Sequence, residues 1–302
     1  MKQLTLEEAK NYENWDLLAK QTVEGFITGL HKSPYHGFSV EFAEHKIYNP
    51  GQGTRHIDWK VYAKTDKLFI KRYEEETNLR CSILIDTSLS MYYPTKSPNK
   101  IFFASWMAAA FCHLLAKQRD AVGLQFFSSE VTFQSPVKSS QLHLHQLMLT
   151  LQQNIKNIPA ASNTNIVTTL HLIAEQIHRR SLVVIFTDMF DVNADISLII
   201  NALQHLRHKG HEVLVFHVYD PETELQLEFS NRPHLFTDIE TGEKIKLNPQ
   251  LFQEKYEKIT QDYFNEVAQK CGALKISFVK CPINLNPNEI LMEFLTKRSS
   301  MK

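Results

Sequence analysis

The sequence predicts an α/β fold built on a largely parallel sheet, and three observations carry that reading. From residue 81 onward, short apolar runs alternate with longer amphipathic ones, an alternation the first eighty residues lack. Two of the apolar runs, residues 81–85 and 182–186, hold only apolar or small side chains and lead into acids, Asp86 and Asp188, as central strands covered on both faces do. A composition of 43% hydrophobic and 22% charged residues over 302 positions suffices for one large core or two modest ones.

The elements follow in order. After the first strand, residues 99–118 read as a helix whose wide buried face is set by Ile101, Phe102, Met107, Ala108, Phe111 and Leu115. Residues 121–127 and 130–133 read as strands joined at Ser128 and Ser129, forming an antiparallel edge. Helices at about 140–153 and 166–179 flank a loop at 159–165, and the strand at 182–186 comes next. A helix at 194–208, a strand at 212–218, a helix at 250–270, a strand at 274–278 and a short helix around 288–296 complete the alternation. Within an insertion at about 221–249, residues 235–247 read as a β-hairpin turning at Glu240, Thr241 and Gly242, because glycine supplies the positive φ such turns need. Upstream of the domain at 81–302, residues 1–20 read as a helical, polar segment. Residues 21–80, punctuated by Gly25, Pro34, Gly37 and Pro50, read as a small β-rich subdomain.

Composition also excludes function classes. With 33 basic and 33 acidic residues, no overall field draws the chain toward nucleic acid or an anionic membrane. The run Lys64, Lys67, Lys71 and Arg72 is answered at once by Glu74, Glu75 and Glu76, which argues against a phosphate groove. Four scattered cysteines form no C-x-x-C pair, so neither a zinc site nor a disulfide framework is expected. No apolar stretch approaches a membrane span, and the first twenty residues lack the apolar core of a signal peptide; the expectation is a cytoplasmic protein that meets membranes only through a partner. The phosphate-binding G-x-x-x-x-G-K-[ST], the hydrolase G-x-S-x-G and the zinc-protease H-E-x-x-H are all missing, so no catalytic or cofactor-binding residue is assigned and the chain is expected not to be an enzyme. His143, His145, His205, His208 and His211 read as members of solvated helix faces, and Arg55 with Asp58 as a structural ion pair packed under Trp59.

One constellation carries chemistry. In an open α/β sheet, ligands sit beyond the carboxyl ends of the strands. There the sequence puts Asp86, Ser88 and Ser90 after the first strand, Thr164 in the 159–165 loop, and Asp188 after the strand at 182–186. Two carboxylates and three hydroxyls form a hard oxygen set that favours Mg²⁺, with Mn²⁺ or Ca²⁺ as alternatives. Such an ion keeps a coordination position open to a carboxylate from another protein.

The D-x-S-x-S of residues 86–90, the downstream threonine and the later strand-end aspartate resemble the metal-ion-dependent adhesion site (MIDAS) of von Willebrand factor A domains. The resemblance implies a doubly wound, Rossmann-like sheet, with Ser88, Ser90 and Thr164 as direct ligands and Asp86 and Asp188 acting directly or through water. Met189 stands where those domains commonly have glycine. Upstream, residues 48–51, 55–60 and 69–76 resemble the signature of the bacterial "domain of unknown function 58" family. That resemblance implies a protein-interaction module working as adaptor or chaperone factor with a MoxR-type AAA+ ATPase or with other von Willebrand A proteins. Two rivals stand beside it. One is a Mg²⁺-dependent phosphatase or phosphotransferase using Asp86, although Ser88 then occupies the place of its general acid. The other is a scaffold with a vestigial site.

Overall fold

The computed structural model describes residues 8, 9, 12, 14–27, 42–47, 58–73, 79–95, 98–159, 166–189, 195–239 and 241–300. Two compact units divide the chain: Met1–Pro34 with Arg80–Lys302, and Tyr35–Leu79. The larger opens with helix α1 (Trp15–Ile27); the smaller contains β1 (Phe42–Ile47), α2 (Trp59–Thr65) and β2 (Phe69–Tyr73).

In the smaller unit β1 and β2 pair antiparallel, with an irregular step between Phe42 and Glu44. Asp58 starts α2: its Oδ1 accepts from Val61 N at 3.3 Å, and its own N donates to Phe69 O at 2.8 Å. Asp58 is buried and Trp59 is 62% exposed; Arg55, the expected ion-pair partner of Asp58, lies outside the described residues.

The rest of the larger unit runs β3 (Arg80–Asp86), a 3₁₀ turn (Leu89–Tyr92), α3 (Lys100–Lys117), β4 (Ala121–Phe127), β5 (Val131–Gln134), α4 (Gln141–Lys156) and α5 (Ile166–Gln176). It continues with β6 (Leu182–Thr187), α6 (Ile196–His208), β7 (Glu212–Tyr219), a π turn (Pro221–Leu225), β8 (His234–Thr237) and β9 (Lys244–Leu247). A second 3₁₀ turn (Pro249–Leu251), α7 (Gln253–Ala273), β10 (Ser277–Pro282) and α8 (Pro287–Ser300) finish it. The main sheet has the order β10-β7-β6-β3-β4-β5, parallel except for the antiparallel edge β5. Counted from β3, this is the 3-2-1-4-5-6 order of a doubly wound sheet, the Rossmann-like α/β architecture the sequence predicts.

Sequence chemistry explains the arrangement. β6 is buried at every position and β3 at all but its first, as parallel strands covered on both faces must be. Helix α3 is buried along nearly its whole length, Lys100 included, and Phe111 lies edge-on to Phe186 and Phe216, whose rings stack at 5.0 Å. Each such ring contributes about 1.5–3 kcal/mol by leaving water. The hairpin β8–β9 turns at Gly242, whose φ of 74° is left-handed as expected.

Several boundaries differ from the sequence reading. The cut at residue 20 falls inside α1, which belongs to the larger unit rather than to the subdomain. Trp15, Leu18, Ala19 and Val23 form a helical stripe that buries against α3: Trp15 meets Phe102 edge-on at 6.0 Å, and Trp106 Nε1 donates to Thr22 Oγ1 at 2.9 Å. That stripe is narrow and interleaved with charges, so it forms no continuous apolar run along the sequence. The strand expected at 274–278 begins later, because Leu274 and Lys275, the latter at φ 56°, turn the chain out of α7. Two histidines expected on solvated faces are buried: His143 Nε2 donates to Val122 O at 3.1 Å, and His211 Nδ1 accepts from Ser181 N at 3.3 Å.

Cys81, Cys112, Cys271 and Cys281 are buried and unbridged. Among the described residues no helix is long and apolar enough to cross a membrane.

Candidate metal centre

β3 and β6 pair side by side from Cys81–Leu182 to Ile85–Phe186, so Asp86 and the Thr187-Asp188 step emerge on the same rim. From β3 the chain winds to β4 and β5 on one side, and from β6 to β7 and β10 on the other. The rim between them is therefore the topological switch point, where such sheets open a crevice.

Asp86 is fully buried; its Oδ1 accepts from Ser88 N at 2.9 Å and its Oδ2 from Thr187 Oγ1 at 2.7 Å. The loop after it is pinned to β4, with both the N–H and the hydroxyl of Thr87 donating to Phe127 O, at 2.8 and 3.1 Å. Beyond that anchor the hydroxyls of Ser88, buried, and Ser90, partly exposed, lie 3.0 Å apart. Burial, and secondarily the charge of Asp188, pushes the Asp86 carboxyl up to about 7 against the pull of its hydrogen bonds.

Asp188 is also fully buried, with different company. The ammonium of Lys100, at the start of α3 and fully buried itself, lies 2.9 Å from Asp188 Oδ2 and also donates to Glu224 in the π turn. Burial pulls the Lys100 pKa down, but Asp188 and Glu224 outweigh it and hold the ammonium above its ordinary value. Glu224 is raised, chiefly by burial, and its Oε2 accepts from Asp220 N at 2.7 Å. On β7, His217 donates from Nε2 to Asp188 O at 3.0 Å; burial drives its pKa to about 4, so the ring is neutral near pH 7. Met189 takes the left-handed φ of 58°, the conformation glycine adopts without strain, and is fixed there by Thr187 Oγ1 accepting from its N and by its O accepting from Tyr263.

The structure thus gathers Asp86, Ser88 and Ser90 at one strand end and Asp188 at the next, while Thr164 lies outside the described residues. Four participants were missed by sequence reasoning: Thr187, Lys100, Glu224 and His217. Thr187 carries a readable signal, a hydroxyl immediately before the strand-end acid. Lys100 carries a fainter one, as a charged residue opening an otherwise apolar helix, and Glu224 and His217 carry none.

Among the described residues no three His, Cys, Asp or Glu side chains converge as a metal cage, so an ion here would draw on mixed carboxylate and hydroxyl oxygens. Those donors fit a hard cation. Two hydroxyls converge within 3.0 Å, beside a buried carboxyl that burial and Asp188 leave reluctant to ionise. Among the described residues the linked carboxylates Asp86, Asp188 and Glu224 meet one ammonium, that of Lys100, and when all are ionised the cluster is net negative in a dry environment.

Residues 44–265, from within β1 to within α7 and including every residue of this centre, match the family described as "Protein of unknown function DUF58". The chain belongs to that DUF58 family. This DUF58 chain is 25% identical over 208 residues to the uncharacterized protein Rv1480 of Mycobacterium tuberculosis and, equally, to the uncharacterized protein Mb1516 of Mycobacterium bovis. The match covers 68% of this chain, which spans about 63% of the length of those relatives. Among solved structures, the conserved hypothetical protein BatB of Bacteroides thetaiotaomicron is 16% identical, with a TM-score of 0.45 over 74% of this chain and 100% of that one. An aerotolerance-related membrane protein of Bacteroides fragilis gives 16% and 0.46 over the same shares, and the von Willebrand A domain of SpRpn10 gives 13% and 0.40 over 70% and 94%. Likeness of that order says nothing of partners or activity.

Proposed function

We propose that this DUF58 chain is a cation-dependent protein-interaction module that grips an acidic side chain of a partner at the rim formed by Asp86, Ser88, Ser90 and Asp188, with Thr164 as a further ligand. The observation that carries this reading is the pairing of Asp86, buried and held toward its neutral form, with two hydroxyls 3.0 Å apart at the switch point of the sheet. Ser88 and Ser90 face the site as neutral donors, and Ser90 is exposed enough to meet a ligand from outside. When bound, Mg²⁺ (or Mn²⁺ or Ca²⁺) supplies a positive charge with an open coordination position. Thr187 orients Asp86, and Lys100 pairs with Asp188.

A binding role is favoured over phosphoryl transfer because Asp86 is fully buried with both oxygens engaged, an unsuitable state for a nucleophile, and because Ser88 is a poor general acid. The partner proposed is a MoxR-type AAA+ ATPase or another von Willebrand A protein, met in the cytoplasm, with membrane contact only through that partner.

Titrating chelator-stripped chain with Mg²⁺ or Mn²⁺ by calorimetry and by thermal shift tests the site. At ion concentrations of about 100 Kd the wild type gains about 2.7 kcal/mol of stability, and Asp86→Ala gains nothing. Absence of binding at millimolar ion, or equal binding by Asp86→Ala, defeats the reading and leaves a scaffold. Capture of a purified MoxR-type ATPase with and without chelator tests the partner.

A further inference from the structure

A cavity of about 1090 Å³ opens beside the candidate centre, between the hairpin β8–β9, the segment after β7 and the start of α7. Ser90 lines both the cavity and the centre, and Tyr93 and Glu224 stand at the same end. The walls are mainly apolar, with Phe229, Phe236, Ile245, Leu251, Phe252 and Ile259 among them. Their exposure is high for such side chains: Leu251 is 77%, Ile245 59%, Ile259 58% and Phe252 50% exposed. Contiguous apolar surface of this kind marks a binding face.

The wall carries both signs of charge, Glu224 and Asp238 beside Lys246 and Lys255, with Glu224 sharing the Lys100 ammonium and Asp238 accepting from Thr241 N at 2.8 Å within its own hairpin turn. The apolar lining is therefore what the cavity itself recognises, and the acid of an occupant falls to the cation rim at Ser90. Its volume lies just above the roughly 300–1,000 Å³ typical of ligand sites, room for more than one bulky side chain. The surface is concave, with apolar groups lining a hollow, so it suits an inserted side chain better than a bilayer, which meets protruding ones.

We propose that this cavity is the specificity pocket of the interaction site, and that its occupant is an extended partner segment in which an aspartate or glutamate is flanked within about three residues by bulky apolar side chains. The acid reaches the rim at Ser90 while the apolar neighbours fill the cavity, since residues along an extended segment advance about 3.3 Å each. Apolar anchors of this kind carry most of the energy of an interface. The inference rests on the cation-dependent reading above and adds the class of sequence recognised.

Selection of a displayed random-peptide library on the full chain in millimolar Mg²⁺ tests it. Selected peptides are then measured by fluorescence anisotropy against wild type and the Ile245→Ser/Leu251→Ser double variant, whose altered side chains are 59% and 77% exposed and whose fold is checked by circular dichroism. The expected result is enrichment of acid-plus-apolar sequences, loss of binding in chelator, and at least about 10-fold weaker binding by the double variant, with its Mn²⁺ affinity by calorimetry unchanged. Peptides lacking that pattern, no enrichment at all, or equal affinity for the double variant while Mn²⁺ still binds would overturn the pocket assignment and leave the cation site standing. If wild type binds no Mn²⁺, the cation reading fails and the pocket assignment falls with it. Wild-type binding to phosphatidylglycerol vesicles that the double variant loses, with peptide affinity unaltered, would reassign the cavity to lipid.

Discussion

Asp86 and Asp188 end neighbouring strands and are equally buried, yet their surroundings differ in kind. Among the described residues neutral donors hold Asp86, the Ser88 N–H and the Thr187 hydroxyl, and its carboxyl is pushed up to about 7. Asp188 has the ammonium of Lys100 at 2.9 Å. Among the described residues a cation lies against Asp188 but not against Asp86. Identical residue types one strand apart are thus divided into a carboxylate that the fold supplies with an ammonium and one held by neutral donors.

Lys100→Met should break this contrast most severely. Removing the ammonium takes from the buried Asp188 and Glu224 the cation they share, so urea unfolding should show a loss of about 3–5 kcal/mol. A loss under about 1 kcal/mol would mean that the pair contributes little and the contrast is only geometric.

A pH series in chelator isolates the other acid. An acid whose native pKa lies above its unfolded one keeps its proton longer when folded, so Asp86 lowers stability as pH climbs from about 4 to about 7. His217 titrates over the same range with opposite sign: pushed down to about 4, it refuses a proton that the unfolded chain accepts, so its contribution falls as pH drops below about 6.5. The two slopes offset each other in wild type. The difference between Asp86→Asn and wild type should therefore be near zero around pH 4 and grow to about 2–4 kcal/mol in favour of the variant around pH 8, because each tenfold change in proton affinity is worth about 1.4 kcal/mol. A difference independent of pH would show that Asp86 is not held toward its neutral form.

Thr187→Val sharpens the comparison on a smaller scale. It removes a hydroxyl that donates to Asp86 and accepts from Met189 N, and should lower stability by about 1–3 kcal/mol. Smallest on stability is Ser90→Ala, within about 0.5 kcal/mol because the side chain is partly exposed. Its Mn²⁺ affinity should nonetheless fall at least about 10-fold by calorimetry.

The fold was legible where one local property sufficed. Residues 81–85 and 182–186 announced central strands because parallel strands covered on both faces are continuously apolar, and Gly242 announced the hairpin because its φ is positive. Helix α1 was not legible, since its narrow stripe makes sense only against Phe102 and Trp106 of α3. At the candidate centre, Asp86, Ser88 and Ser90 lie within five positions and could be read as a group. Lys100 reaches Asp188 across 88 positions and Glu224 across 124, and nothing local links them.

By itself, then, the sequence determined the α/β alternation, the strand ends that carry acids and the chemical hardness of the oxygen donors, because each follows from residue type and spacing along the chain. Only the tertiary structure decided which acid is paired, which resists ionisation, and that an apolar cavity opens beside Ser90. Burial and charge proximity act through space, and they join segments the sequence holds far apart.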